Sequence, residues 1–86
     1  MHELSVALEV CRMAAEQAAA AGARDILEVG VEVGERAGVE PHNLEFCLEA
    51  LLVDPPFLGA RSCVRIVPGD ALRLSYVEVE DGRPPD

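Results

Sequence analysis

The first two residues, Met1-His2, place three nitrogen donors on a few atoms of chain: the α-amine of Met1, the backbone amide of His2 and the imidazole of His2. Amine and amide close a five-membered chelate around a metal, and amide with imidazole Nδ1 closes a six-membered one. A planar, nitrogen-rich set of this kind suits Ni(II) or Cu(II), whereas structural zinc prefers a tetrahedral thiolate and imidazole set. The chemistry requires a free amine. Met1 is expected to stay in place, because initiator methionine is normally removed only before small residues. The competing reading of His2 is an incidental surface histidine.

Three donors leave one planar position open, and the candidates for it are Glu3, Glu40, His42 or a residue from a partner. Each has a plainer role. Glu3 sits in the first turn of an expected helix, where a carboxylate favours the positive end of the dipole. Glu40 stands before Pro41 and suits an N-cap or first-turn carboxylate. His42 suits a solvated first-turn histidine. Catalysis has little support: the chain lacks a Gly-x-Ser-x-Gly elbow, a phosphate-binding Gly-Lys-Ser/Thr loop and a Cys paired with a plausible His base.

The elements that must position these donors follow from periodicity. From His2 to about Ala21 the pattern is helical, with Leu4, Leu8, Cys11, Ala15 and Ala18 as the apolar stripe. Glu9, Arg12 and Glu16 lie on the opposite side at ion-pair spacing, and Gly22 is the expected stop. Leu27, Val29, Val31 and Val33 alternate with Glu28, Gly30 and Glu32, a strand with one buried face. Gly34 to Val39 reads as a loop. Pro41 then starts a second helix, whose apolar face is Leu44, Cys47, Leu48, Leu51 and Leu52, and Asp54-Pro55-Pro56 ends it. The remainder reads as a β-hairpin: Arg61 to Val67, a type II turn centred on Pro68-Gly69, and a last strand. Val64 and Ile66 share a face. Leu72 and Leu74 are out of step with Val77 and Val79, so a bulge is expected near Ser75-Tyr76. The expectation is an α+β fold in the order α-β-α-β-β, with two helices on one face of a three-stranded sheet. Residues 1–80 form one domain, and 81–86 lack an apolar anchor and read as a flexible tail.

At 86 residues the chain builds one small core. Its 50% apolar content comes mainly from Ala, Val and Leu, with only Phe46, Phe57 and Tyr76 aromatic, so packing rests on aliphatic fit. A formal charge of −9 argues against nucleic acid and anionic membrane surfaces, both of which need basic patches. No apolar run is long enough to span a bilayer, and the start lacks the basic region of a secretory signal; a cytoplasmic protein is expected. Cys11, Cys47 and Cys63 form no Cys-x-x-Cys pair, so neither a zinc ribbon nor a dithiol redox pair is available. Three free thiols, mostly on core-facing positions, are expected.

Met1-His2-Glu3-Leu4-Ser5 and Gly34-Glu35-Arg36-Ala37-Gly38-Val39-Glu40-Pro41 together resemble the HypA/HybF family, the nickel metallochaperones of hydrogenase maturation. Ala21-Gly22-Ala23 and the run from Gly69 to Glu80 match as well, in the family's order. The resemblance implies Ni(II) as cargo, a ligand set around Met1, His2 and Glu3, and an acidic residue near the nickel at the place of Glu40. His42 is not part of the family's motif. The implied partners are a HypB-type GTPase and the [NiFe]-hydrogenase large subunit, with urease maturation as a secondary client. One departure is large: family members carry two Cys-x-x-Cys pairs in a zinc domain between the last two strands, and this sequence has none, so no zinc is expected. The hairpin would make such an excision simple, since neighbouring strand ends can be rejoined by a short turn. The alternative function is a metal-free docking or regulatory paralogue acting through protein–protein contacts.

Overall fold

The structure, a computed structural model, describes residues 2–80. Met1 and the expected tail 81–86 lie outside the described residues. Five elements follow in the expected order: α1 (Glu3–Ala20), β1 (Asp25–Gly34), α2 (Pro41–Leu51), β2 (Arg61–Val67) and β3 (Leu72–Glu80). Helix α1 ends where Gly22 adopts a φ of 70°, a left-handed conformation that costs glycine little. The Ala23 N–H donates to Ala18 O at 2.9 Å and the Gly22 N–H to Ala19 O at 3.0 Å, a Schellman stop. On its outer side Arg12 pairs with Glu16 at 2.6 Å and with Glu9. Both pairs are solvent-exposed and contribute little to stability.

The core-facing stripe of α1 differs from the expected one. Val6, Ala7, Val10, Cys11, Ala14 and Ala18 are buried, whereas Leu4 and Leu8 are 53% and 52% exposed. Apolar residues surround most of the first three turns, so the sequence period defines a helix without defining which side turns inward. Packing decides. Ala7 and Ala14 are fully buried and let α1 approach the sheet closely, a contact that bulkier side chains would prevent.

The last two strands are not a hairpin. The sheet order is β2-β1-β3, so β1 lies between them. β1 pairs with β2 in parallel, Glu28 opposite Arg61 through Gly34 opposite Val67, and with β3 antiparallel, Asp25 opposite Glu80 through Val33 opposite Leu72. A strand, a helix and a second strand make a βαβ crossover, which places parallel strands side by side. The turn signal at Pro68-Gly69 is present, with Gly69 at a φ of 90°. The link it forms arches over the end of β1 instead of joining neighbours. It therefore spans two inter-strand spacings, roughly 9–10 Å, and the argument that a domain could be excised between adjacent strand ends does not hold.

The register of β3 shifts between Tyr76, opposite Gly30, and Leu74, opposite Val31. This is the expected bulge at Ser75, and it returns Leu72, Leu74, Val77 and Val79 to one side, where all four pack against the core. A second shift between Ile26 and Glu28 was not signalled by the alternation. It turns Leu27 outward, 39% exposed, and puts Ile26 into the core with Val29, Val31 and Val33. Leu44, Leu48 and Leu52 of the second helical segment close the core from above, with Cys47 and Leu51 at its margin. α1 packs on β1 and β3, and α2 on α1 and β2. Both helices cover one face, as expected. Val64 packs against the core, but Ile66 stays 57% exposed.

The other sheet face is open to solvent and carries a lattice of charges. Glu28 accepts from Arg61 at 2.9 Å, and Glu32 lies between Arg73 at 2.6 Å and Arg65 at 4.0 Å. Of the three cysteines, expected mostly on core-facing positions, Cys63 is exposed and Cys47 half-buried; Cys11 is buried, and burial raises its thiol pKa. The Tyr76 ring lies over Gly30, where any Cβ would collide with it, and its hydroxyl donates to Glu28. That hydrogen bond pushes the Tyr76 pKa well above its ordinary value. Tyr76 is the single tyrosine of the chain, so the effect can be read directly. Spectrophotometric titration should give an ionisation above the usual value of about 10, and Gly30→Ala or Glu28→Gln should lower it. An ordinary value in the unsubstituted protein would show that Tyr76 does not rest on Gly30.

Candidate metal site

The start of α1 meets the start of α2. His2 is the N-cap of α1, with extended backbone at φ −81° and ψ 123°, and its side chain makes no capping hydrogen bond. Among the described residues no hydrogen bond engages the imidazole, and His2 is exposed. The His2 carbonyl accepts the Val6 N–H at 3.2 Å, the first bond of the helix. The first four N–H groups of a helix, counted from its N-cap, have no carbonyl to bond within it. The His2 amide is the first of these, so its deprotonation on binding a metal would break no helical hydrogen bond. Helix formation therefore leaves amide and imidazole free while fixing the chain that carries them.

Glu3 reaches 37 residues along the chain: its Oε2 accepts the backbone N–H of Glu40 at 3.1 Å. Glu40 in turn is the N-cap of α2, its Oε2 accepting the Asn43 N–H at 2.6 Å, with Pro41 as the next residue. Two carboxylates thus stand where two helix N-termini converge. A cation at a helix N-terminus meets the unfavourable end of the dipole; Glu3 and Glu40 supply the opposing charge. The spacing between Glu3 and Glu40 gave no hint of this contact. Asn43, whose side-chain amide helps to lower the Glu3 pKa and whose N–H donates to Glu40, was missed altogether. The Glu40-x-x-Asn43 spacing, matching an N-cap and its third following residue, is the signal that could have found it. His42 is exposed in the first turn of α2, and among the described residues no hydrogen bond ties it to His2, Glu3 or Glu40. Of the five candidate residues, the fold joins Glu3, the residue after His2, to Glu40; no hydrogen bond among the described residues adds His2 or His42 to that pair, and Met1 lies outside the described residues. Among the described residues no three His, Cys, Asp or Glu side chains form a ready-made metal cluster.

The Glu40 N–H holds the Glu3 carboxyl below its ordinary value of 4.5. A carboxyl whose pKa is lower folded than unfolded stabilises the fold above the unfolded value, and the benefit is lost as pH falls through the folded value. The Glu3→Gln variant should therefore be less stable than wild type near neutral pH, and the gap should close as pH drops below about 4.5. Urea midpoints from pH 7 to pH 3 would test this; a gap that is constant with pH would mean that the Glu3–Glu40 contact contributes nothing as an ionised group.

The family described as hydrogenase/urease nickel incorporation metallochaperone, HypA, matches residues 1–79. The hydrogenase maturation factor HypA of Geobacter metallireducens is 39% identical over 69 residues, covering 80% of this chain and 60% of the relative. That of Geobacter sulfurreducens is 40% identical over 72 residues with the same coverage, 80% and 60%. The chain thus spans about 60% of the length of these relatives. The solution structure of the Ni metallochaperone HypA from Helicobacter pylori superposes with a TM-score of 0.82 at 18% identity, covering 92% of this chain and 97% of that one. At that identity the likeness speaks for the fold alone. With the family's pattern running from residue 1 to residue 79, and two helices packed on a three-stranded mixed sheet, this chain belongs to the HypA family of nickel metallochaperones.

Proposed function

We propose that this chain holds one Ni(II) ion at its N-terminus, through the Met1 amine, the His2 amide nitrogen and the His2 imidazole, and passes it on during [NiFe]-hydrogenase maturation. The observation that carries the reading is His2 at the N-cap, exposed, with no capping hydrogen bond from its side chain and its amide outside the helical hydrogen bonds. Glu3, next to His2 in the chain and bonded to the Glu40 N–H, is the proposed further ligand or hydrogen-bonding neighbour, and Glu40 supplies further negative charge. His42 or a partner's donor completes the alternatives for the fourth position. Transfer needs only ligand exchange: a planar ion with one weak ligand is open to attack by an incoming donor, which favours handing on over storage. A HypB-type GTPase and the hydrogenase large subunit are the proposed partners, in the cytoplasm, with no zinc in this chain and no reaction catalysed by it. Among the described residues no helix is long and apolar enough to cross a membrane.

The second reading is a metal-free docking paralogue, and the exposed Leu4 and Leu8, directly after the metal motif, favour it. One experiment separates the two. Untagged wild type and His2→Ala protein would be added to extracts of hydrogenase-producing cells lacking the endogenous factor, with zinc and nickel contents measured beforehand. The metal reading expects no zinc, recovery of the GTPase or large subunit by both proteins, and nickel incorporation with wild type alone. Equal incorporation with both would establish the docking reading, and recovery of neither partner would remove both.

A further inference from the structure

We propose that the link between β2 and β3, Pro68 to Ala71, positions the metal site, with Gly34 as the positioning residue that joins the two. This rests on the N-terminal nickel reading above, and it concerns how firmly the ion is held. Three consecutive backbone N–H groups leave the end of β1 and donate to this link and the last residue of β2. Gly34 donates to Ala71 O at 2.6 Å, Glu35 to Val67 O at 2.8 Å and Arg36 to Gly69 O at 2.8 Å. The chain then turns, Ala37 N–H donating to Gly34 O at 3.0 Å and Gly38 taking a φ of 77°. Val39 drops into the core, 8% exposed, and the next residue is Glu40, whose N–H holds Glu3. From the link to His2 the chain is tied on both sides of the exposed Gly38: hydrogen bonds fix 34–36, packing holds Ala37 and Val39, and a carboxylate joins Glu40 to the start of α1.

Glycine at 34 is required by contact, not by backbone angle. A Cβ there would lie 2.7 Å from Ala71 N and 2.8 Å from Gly69 C, closer still to Gly69 O, and all three are backbone atoms that cannot rotate aside. Any larger residue must push the link off the end of β1. The outward side of the link is accessible, with Pro68, Asp70 and Ala71 exposed. A protein that grips these residues would therefore act on the same hydrogen bonds, and so on the ion's hold, without touching the ion.

Coupling between two sites is reciprocal. Nickel bound at the N-terminus must therefore protect the 34–36 hydrogen bonds, and weakening those bonds must weaken nickel. The test uses the full untagged chain, with Gly34→Ala, the milder Gly69→Ala that strains the link at its positive φ, and Phe57→Leu as a control destabilised at the far end of the sheet. Nickel titration should show one ion with an unchanged absorption band in each, since the ligands are the same. Affinity should fall about tenfold in Gly34→Ala, less in Gly69→Ala, and not in Phe57→Leu. In wild type, nickel should slow hydrogen exchange of the Glu35 and Arg36 amides more than that of Ile26, whose N–H is bonded to Pro56 O at the other end of β1. Wild-type affinity in both glycine variants would overturn the proposal, even where Gly34→Ala folds poorly, because Gly69→Ala remains measurable. The metal-free proteins give an independent reading: the Glu3 and Glu40 amide resonances should move in Gly69→Ala. If they move but wild type binds no nickel at its N-terminus, the cargo reading fails while the mechanical link stands. If they do not move, the link itself is wrong.

Discussion

Nickel should bind at one ion per untagged chain, and either His2→Ala or residues added before Met1 should abolish tight binding. Deleting the imidazole opens the six-membered chelate and blocking the amine opens the five-membered one, so each change leaves too few donors for a planar site. Loss of an outer partner of a metal site typically costs about 10- to 100-fold in affinity, and loss of a direct ligand should exceed that. Helicity should be unaffected in His2→Ala, because His2 is exposed and its side chain makes no capping hydrogen bond. Binding should release protons, since amine, imidazole and amide must each lack one to bind, so affinity should fall as pH drops. Cu(II) should bind at least as tightly in vitro, as the Irving–Williams order requires. Isothermal titration with circular dichroism on the three proteins checks all of this. Full affinity in the extended protein would place the nickel elsewhere.

The largest loss of stability should come from Leu48→Ala. Leu48 is fully buried where α2 meets both α1 and β2. Leucine-to-alanine changes at such sites cost about 2–5 kcal/mol, depending on how far the cavity collapses. In a domain this small each kcal/mol lowers Tm by roughly 4–8 °C, so a fall of about 8–40 °C is expected in a thermal melt. Leu8→Ala, at a position 52% exposed, should cost under about 1 kcal/mol. A Leu8→Ala variant as damaged as Leu48→Ala would mean that α1 turns the other side inward.

The contrast between Leu8 and Leu48 shows what the residues alone could tell. Both helices, all three strands and the bulge at Ser75 follow from periodicity, proline and glycine, because those signals are local. The inward side of α1 is not local: with Leu4, Val6, Ala7, Leu8 and Val10 all apolar, only the shape of the surface opposite decides. Pairing partners are not local either. Val64 and Leu74 have strand character wherever they lie, and the place of β1 between them follows from the crossover through α2, a topological fact. The donors at Met1 and His2 could be read from covalent chemistry, since a chelate built from adjacent atoms needs no fold. The meeting of Glu3 with Glu40 could not, because it depends on both helices starting at the same end of the sheet.

The central place of β1 also dictates the order in which the molecule becomes complete. β1 is the first strand in sequence, yet its partners begin 36 residues further on at Arg61 and end at Glu80, which pairs with Asp25. No sheet can form from neighbouring segments: the nearest pairing, Glu28 with Arg61, closes 33 residues of chain, and Asp25 with Glu80 closes 55, before either stabilises the sheet. His2 precedes every strand in the sequence, whereas the strand pairs and the link between β2 and β3 close last. Under the proposed nickel reading, a chain still being made would carry His2 without the Glu3–Glu40 contact, which only the finished fold supplies.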